Sequence, residues 1–267
     1  MTMSQPEHAV EVTSITKIFN RGKPNEVLAL DNVSVTVERN QFISLIGPSG
    51  CGKSTLLRLM AALTAPTEGT VMVHGKPADQ ARLERDYGMA FQTAGLFDWR
   101  TVRQNIELPL QLMGWSKSKR RERAEAMLKL VRLDGFGDHY PRELSGGMQQ
   151  RVAIGRALSC SPSILLMDEP FGALDEITRE HMQAELLRIW NETHTTVVFV
   201  THSIPEAVFL SERVLVMSPR PGRISEEIAV NLGFRDVDTR ESPRFFEKVT
   251  AVREALRQPD TGGIDPA

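Results

Sequence analysis

Residues 47–55 read Gly47-Pro48-Ser49-Gly50-Cys51-Gly52-Lys53-Ser54-Thr55, which fits the pattern G-x-x-x-x-G-K-[ST]. Position gives the match its weight. The short apolar run Gln41 to Ile46 leads into it, and Ser54 to Leu63 follows with apolar residues at helical spacing. Strand, glycine loop and helix in that order make a phosphate cradle. Gly50 and Gly52 admit backbone angles closed to other residues, so successive N–H groups can converge on phosphate oxygens while the helix N-terminus adds its positive dipole end. Lys53 supplies a point charge for the β- and γ-phosphates, and the Ser54 hydroxyl is placed to ligate Mg²⁺. The expected ligand is a nucleoside triphosphate.

Outward from the loop, Ala9 to Phe19 and Val33 to Val37 alternate as strands do, whereas Ser163 to Met167 and Thr195 to Val200 lack polar alternation, as strands buried in parallel sheets do. The first of these runs ends at Asp168-Glu169-Pro170, at the carboxyl end of a strand, where open α/β sheets bind ligands. Asp168 suits the Mg²⁺ shell, and Glu169 suits a base that polarises water for in-line attack on a γ-phosphate. Acids in a solvated turn are the plain alternative. The second run ends at Thr201-His202, and Ser203 with Glu206 forms an S-x-x-E capping box, so a helix should begin just after His202. This topology predicts that the loop, the carboxylates and His202 share one sheet edge. Leu144-Ser145-Gly146-Gly147-Met148-Gln149-Gln150-Arg151 opens a further helix through Val152, Ile154 and Ala157. Ser145 can cap it, and Gly146 and Gly147 leave its N–H groups bare, a second anion-binding helix end. One triphosphate and two such ends invite a sandwich, the second end meeting a nucleotide held by another subunit.

Composition bounds the class. The 267 residues carry 32 Lys+Arg against 34 Asp+Glu, a formal charge of −2, with 41% hydrophobic and 25% charged residues, as an ordinary globular protein does. The near-neutral balance argues against a dedicated nucleic-acid binder. Cys51 and Cys160 are the only cysteines, too few for a disulfide scaffold and in keeping with a reducing compartment. Apolar runs such as Ile164 to Met167 fall far short of the roughly 20 residues of a membrane span, and no signal-peptide pattern opens the chain, so the expected address is the cytosol. Thr93 to Cys160 reads as a helical insertion in an α/β core. Within it, Lys117, Lys119, Arg120, Arg121 and Arg123 interleave with Glu122 and Glu125 as a solvated helix face. From about Asn231 a tail follows: Ser242-Pro243 should start a helix running to about Arg257, and Gln258 to Ala267 should fray.

Jointly these residues resemble the ATP-binding-cassette (ABC) ATPases, nearly throughout the chain to about Val230. The resemblance identifies Gly47 to Thr55 as the Walker A loop, Gln92 after Ala90-Phe91 as the Q-loop glutamine, Leu144 to Arg151 as the signature, Ile164 to Asp168 with Glu169 as Walker B, Ala173-Leu174-Asp175 as the D-loop and His202 as the switch histidine. Phe19 stands where the family places an aromatic that stacks on adenine; packing at a strand end is its alternative reading. The implied fold is an α/β P-loop NTPase cassette over residues 1–230. It has a parallel or mixed sheet core, an N-terminal antiparallel β subdomain and a helical subdomain at about 93–160, and residues 231–267 form a helical tail.

What the resemblance implies for mechanism is a dimer of cassettes with two ATP molecules between them, each held by one subunit's loop and by Ser145, Gly146, Gly147 and Gln149 of the other's signature. Lys53 and the loop amides would take phosphate charge. Ser54 and Gln92 would hold Mg²⁺, Asp168 would hold it through water, Glu169 would be the base and His202 the γ-phosphate sensor. With no span of its own, such a chain works at the cytoplasmic face of a membrane on a separate permease pair, with Leu96, Phe97 and Trp99 as the docking surface or, alternatively, as packing between subdomains.

The signature variant at Met148 and the stretch Met217-Ser218-Pro219-Arg220-Pro221-Gly222-Arg223-Ile224 look like the importer ATPases for nitrate, sulfonate, taurine and related small solutes, which act with an external solute-binding protein. The family's Pro-Trp after the Q-loop is Asp98-Trp99 here. The alternatives within the family are export and a non-transport ATPase acting on nucleic acid. A short helical segment in place of a long coiled coil between Gln92 and Ser145 argues against the latter.

Overall fold

The computed structural model describes residues 8–236 and 238–257; residues 1–7 and the segment expected to fray, 258–267, lie outside the described residues. The chain begins with β1 (His8–Phe19), β2 (Val27–Glu38), β3 (Phe42–Ile46), α1 (Lys53–Met60), β4 (Glu68–Val73), β5 (Lys76–Pro77) and α2 (Ala78–Glu84). Next come β6 (Tyr87–Phe91), α3 (Val102–Leu112), α4 (Lys117–Leu130), α5 (Gly146–Leu158), β7 (Ile164–Asp168) and α6 (Glu176–Thr193). It closes with β8 (Thr196–Val200), α7 (Ile204–Leu210), β9 (Arg213–Met217), β10 (Ile224–Ala229) and α8 (Pro243–Arg257). Two compact units result, one from Met1–Leu83 with Val198–Ala267 and the other from Glu84–Val197; the chain passes between them within β8.

In the first unit, β2, β1, β4 and β5 form an antiparallel sheet in that order. Val12 faces Val35 on one side and Val71 on the other, so the alternating face of β1 is buried in cross-strand pairs. The same unit holds a mixed arrangement: β9 runs parallel to β3 with Leu215 opposite Leu45, and antiparallel to β10. All five residues of β3 are buried, and the Phe42 and Phe199 rings meet at 5.9 Å. Helix α1 stops at Met60, short of the expected Leu63, because Ala61 caps it and Ala62 turns left-handed at φ 50°. The tail helix α8 starts as expected, with Ser242 Oγ accepting the Phe245 N–H at 3.2 Å, and buries Phe245, Val249 and Val252 on one face. Ahead of it, the buried Arg235 guanidinium donates to the carbonyls of Leu210 (2.9 Å) and Ser211 (2.7 Å) at the end of α7, and Arg240 stacks on Phe209.

In the second unit, β6 and β7 pair in parallel with Phe91 opposite Asp168. Helices α3, α4 and α5 pack on one another, with Val102, Ile106, Leu110, Met127, Leu128, Val152 and Ile154 buried. The basic stretch of α4 differs from the expected solvated face. Arg123 turns inward and donates to the carbonyls of Ser159 (2.9 Å) and Leu158 (3.1 Å) and to the Ser161 hydroxyl (2.7 Å), while Arg120 donates to Trp115. The aliphatic stems of arginine cover apolar surface while the guanidinium satisfies carbonyls at the end of α5.

Candidate functional site

The first unit carries Phe19, the glycine loop and His202. The loop runs from β3 into α1, with Gly50 at φ 76° and Gly52 at φ 109°, left-handed values that exclude ordinary residues. A Cβ at Gly52 would also lie 2.6 Å from Leu30 Cδ2. Lys53, 6% exposed, donates from Nζ to the carbonyls of Gly47 (2.8 Å) and Pro48 (3.0 Å), and the Cys51 N–H points at the same Pro48 oxygen at 3.3 Å. An ammonium and an amide thus converge on one oxygen, the donor set a phosphate oxygen requires. Cys51 is buried against this ammonium, its sulfur 3.9 Å from Nζ. Pro48 and Ser49 lie exposed at the rim, and Ser54 and Thr55 sit half-buried in the first turn of α1.

His202 is exposed, one residue beyond Thr201, whose N–H donates to Leu45 O at 3.2 Å, so the histidine follows directly on β3's neighbour in the sheet edge. The capping box expected at Ser203 takes a different form. Ser203 Oγ accepts the Glu206 N–H, but the Glu206 carboxylate accepts the Thr201 hydroxyl, whose oxygen in turn accepts the Ser203 N–H at 3.0 Å. The backbone is therefore held on both sides of His202. Phe19, at the end of β1, is 39% exposed, and the Lys17 ammonium lies over its ring, 5.0 Å from the centre.

The second unit carries the remaining residues. The register of β6 and β7 puts Gln92 and Glu169 just past the same strand ends, beside Asp168. Glu169 adopts φ 48°, uncommon for a non-glycine residue and costing about 1 kcal/mol, next to Pro170, which disfavours the right-handed helical region for the residue before it. A Cβ at Gly172 would lie 3.0 Å from Gln92 Nε2, so that glycine leaves the glutamine its room.

Ser145 caps α5 by accepting the Met148 N–H at 3.3 Å, and Asp175 caps α6 by accepting the Thr178 N–H at 3.0 Å. The two helix starts meet: a Cβ on Gly147 would lie 2.8 Å from Thr178 Cγ2, and one on Gly146 would lie 3.5 Å from Leu174 Cδ2. Signature and D-loop are thereby neighbours. Gln149 turns back on its own helix entry, donating to Pro141 and Leu144 carbonyls.

Sequence reasoning missed several side chains of this unit. Gln150, 3% exposed, donates to Phe91 O at 3.0 Å and ties the signature helix to the residue before Gln92. Arg156, its guanidinium drawn below its usual range by burial, donates to Ala94 and Gly95 carbonyls, and the fully buried Asn105 bonds Phe97, Arg100 and Thr101. Only Gln150 lay within a quoted motif. Together they hold a loop on which the Phe97 and Trp99 rings meet at 4.9 Å, tilted by 50°, with Trp99 74% exposed. A cavity of about 340 Å³ lies in the same unit, lined by Tyr87, Met89, Leu108, Pro109, Leu112 and Cys160 among others.

A phosphate-binding loop between strand and helix, with a glycine-opened signature helix and a strand-end Asp-Glu pair, defines a nucleotide-hydrolysing cassette. The ABC transporter family model matches residues 30–172, and the chain belongs to that family of ATP-binding, ATP-hydrolysing cassettes. It is 44% identical over 259 residues to the nitrate import ATP-binding protein NrtD of Synechocystis, covering 94% of this chain and 96% of that one. It is 42% identical over 256 residues to the aliphatic sulfonates import ATP-binding protein SsuB of Bacillus cereus, covering 96% and 97%. Among solved structures, the dimeric post-hydrolysis state of the cassette MJ0796 bound to ADP and Pi matches with TM-score 0.72 and 36% identity, over 84% of this chain and all of that one. CbiO1 of Clostridium perfringens, part of an ABC transporter complex, matches with TM-score 0.76 and 25% identity, over 94% and 96%.

Proposed function

We propose that this chain is the motor subunit of an importer for a small solute of the nitrate, sulfonate or taurine kind, converting ATP and water to ADP and phosphate to drive a separate permease. The near-full-length likeness to two import ATP-binding proteins carries this reading. In it, Phe19 stacks on adenine, Gly47, Pro48, Ser49, Gly50, Cys51, Gly52, Lys53, Ser54 and Thr55 wrap the phosphates, and Ser145, Gly146, Gly147 and Gln149 close the site of a second copy. Ser54, Gln92 and Asp168 would hold Mg²⁺, which when bound neutralises phosphate charge. Such a cation keeps several of its waters and leans on phosphate oxygens rather than on a dedicated protein cage. Glu169 takes the proton of the attacking water, His202 reads the γ-phosphate, and Asp175 belongs to the D-loop.

Among the described residues no helix is long and apolar enough to cross a membrane. We place the protein at the cytoplasmic face, held there by its permease, which receives solute from an external binding protein and docks on Leu96, Phe97 and Trp99. In the test of the chemistry, Glu169→Gln binds ATP and pairs with a second copy on a sizing column while phosphate release falls at least about 100-fold. Turnover near the wild-type rate would refute the role of Glu169.

A further inference from the structure

The stretch Met217 to Ile224, which marks the importer group in sequence, is a turn between β9 and β10 that lies against the glycine loop. We propose that this hairpin is the outer wall of the phosphate loop and that Arg220 is a positioning residue for ATP binding; the inference rests on reading Gly47 to Thr55 as an ATP loop.

The contacts are specific. Arg220 donates from Nε (3.3 Å) and Nη2 (3.2 Å) to the Gly50 carbonyl. A Cβ on Gly222 would lie 1.9 Å from Cys51 O, and one on Gly47 would lie 2.8 Å from Met217 O, so hairpin and loop touch backbone to backbone at two further points. The hairpin itself is anchored. Gly222 donates to Ala29 O at 3.0 Å and accepts from the Asp31 N–H at 3.1 Å, Arg223 pairs with the Asp31 carboxylate at 2.5 Å, and Ser218 Oγ accepts the Arg223 N–H at 3.1 Å.

What this does follows from peptide geometry. In a trans peptide the C=O and the N–H point to opposite sides. A guanidinium holding the Gly50 oxygen outward therefore aims the N–H of Cys51 into the loop, where it meets Pro48 O together with Lys53 Nζ. Gly50, at φ 76°, has no Cβ to prevent that peptide unit from turning over. Arg220 selects the orientation that phosphate needs, and its forked donors suit the task better than a point charge.

Arg220 is solvent-exposed, so its removal should leave the fold intact and change the ligand equilibrium. Titrating Mg-ATP into the full chain, Arg220→Ala and Arg220→Gln should bind about tenfold more weakly, and Arg220→Lys should recover part of the loss. At saturating ATP, kcat should stay within about twofold, and the thermal midpoint should not move. An Arg220→Ala variant with wild-type affinity, or one that loses thermal stability while keeping affinity, overturns the proposal. Lys53→Ala run alongside separates the two readings. If it loses ATP while Arg220→Ala does not, the hairpin's role alone fails; if it binds ATP normally, the loop reading fails and this one with it.

Discussion

Asp175 shows how one side chain serves helix and site together. Its carboxylate accepts the N–H of Thr178, in the first turn of α6, and that backbone hydrogen bond holds its pKa below the ordinary carboxylate value. A depressed carboxylate contributes stability that is present above its unfolded pKa, about 3.9, and is lost as pH falls through the folded value. Asn caps a helix without ionising. The melting-temperature advantage of wild type over Asp175→Asn should therefore be constant between pH 7 and 5 and shrink by pH 3, as thermal melts would show. Ser145 and Ser242 were legible as caps, since a cap depends on neighbours three residues away, whereas Asp175 was read only as the D-loop acid and its capping bond came from the structure. The turn of Glu206 toward Thr201 was not legible: two hydrogen-bonding arrangements satisfy the same local pattern, and packing at the end of β8 chose between them.

At the scale of elements, the segment from Gln92 to Thr101 is irregular backbone yet firmly held. Asn105, inside α3, uses both faces of its amide on Phe97 and reaches Arg100 and Thr101, and Arg156 of α5 takes Ala94 and Gly95. A buried amide that serves three carbonyls leaves them unsatisfied when removed, at about 1–3 kcal/mol. Asn105→Ala should lower the thermal midpoint and also reduce recovery of the permease in pull-downs, because the loop proposed for docking loses its shape. Trp99→Ala should reduce that recovery with no change in midpoint, since the ring is mostly exposed. Full permease recovery by both variants would move the docking surface elsewhere. The pattern from Thr93 to Cys160 showed a helical segment, and the capped Leu144 to Arg151 stretch showed the start of α5, but neither carries information about which side chains turn toward a loop.

For the whole molecule, the proposed sandwich of two copies makes an intermolecular prediction. In that sandwich Lys53→Ala would damage a subunit's own loop, and Gly146→Asp would damage what it offers its partner. Each alone should be inactive, yet an equal mixture should regain about a quarter of wild-type ATPase activity, because random pairing makes half the dimers mixed, each with one intact site. No recovery on mixing would argue that each chain closes its own site. The near-zero formal charge accords with this picture, in which the polyanionic ligand would be met by Lys53 and convergent amides rather than by a basic surface. The sequence by itself determined the phosphate loop, the Asp-Glu pair, the signature helix and the position of His202, because each is a short pattern whose geometry follows from glycine freedom, capping and strand periodicity. The tertiary structure decided the rest. It set Gln150 on Phe91, 59 residues away, and Arg220 on Gly50, 170 residues away. Contacts over such separations are fixed by strand register and helix packing, which no local spacing encodes.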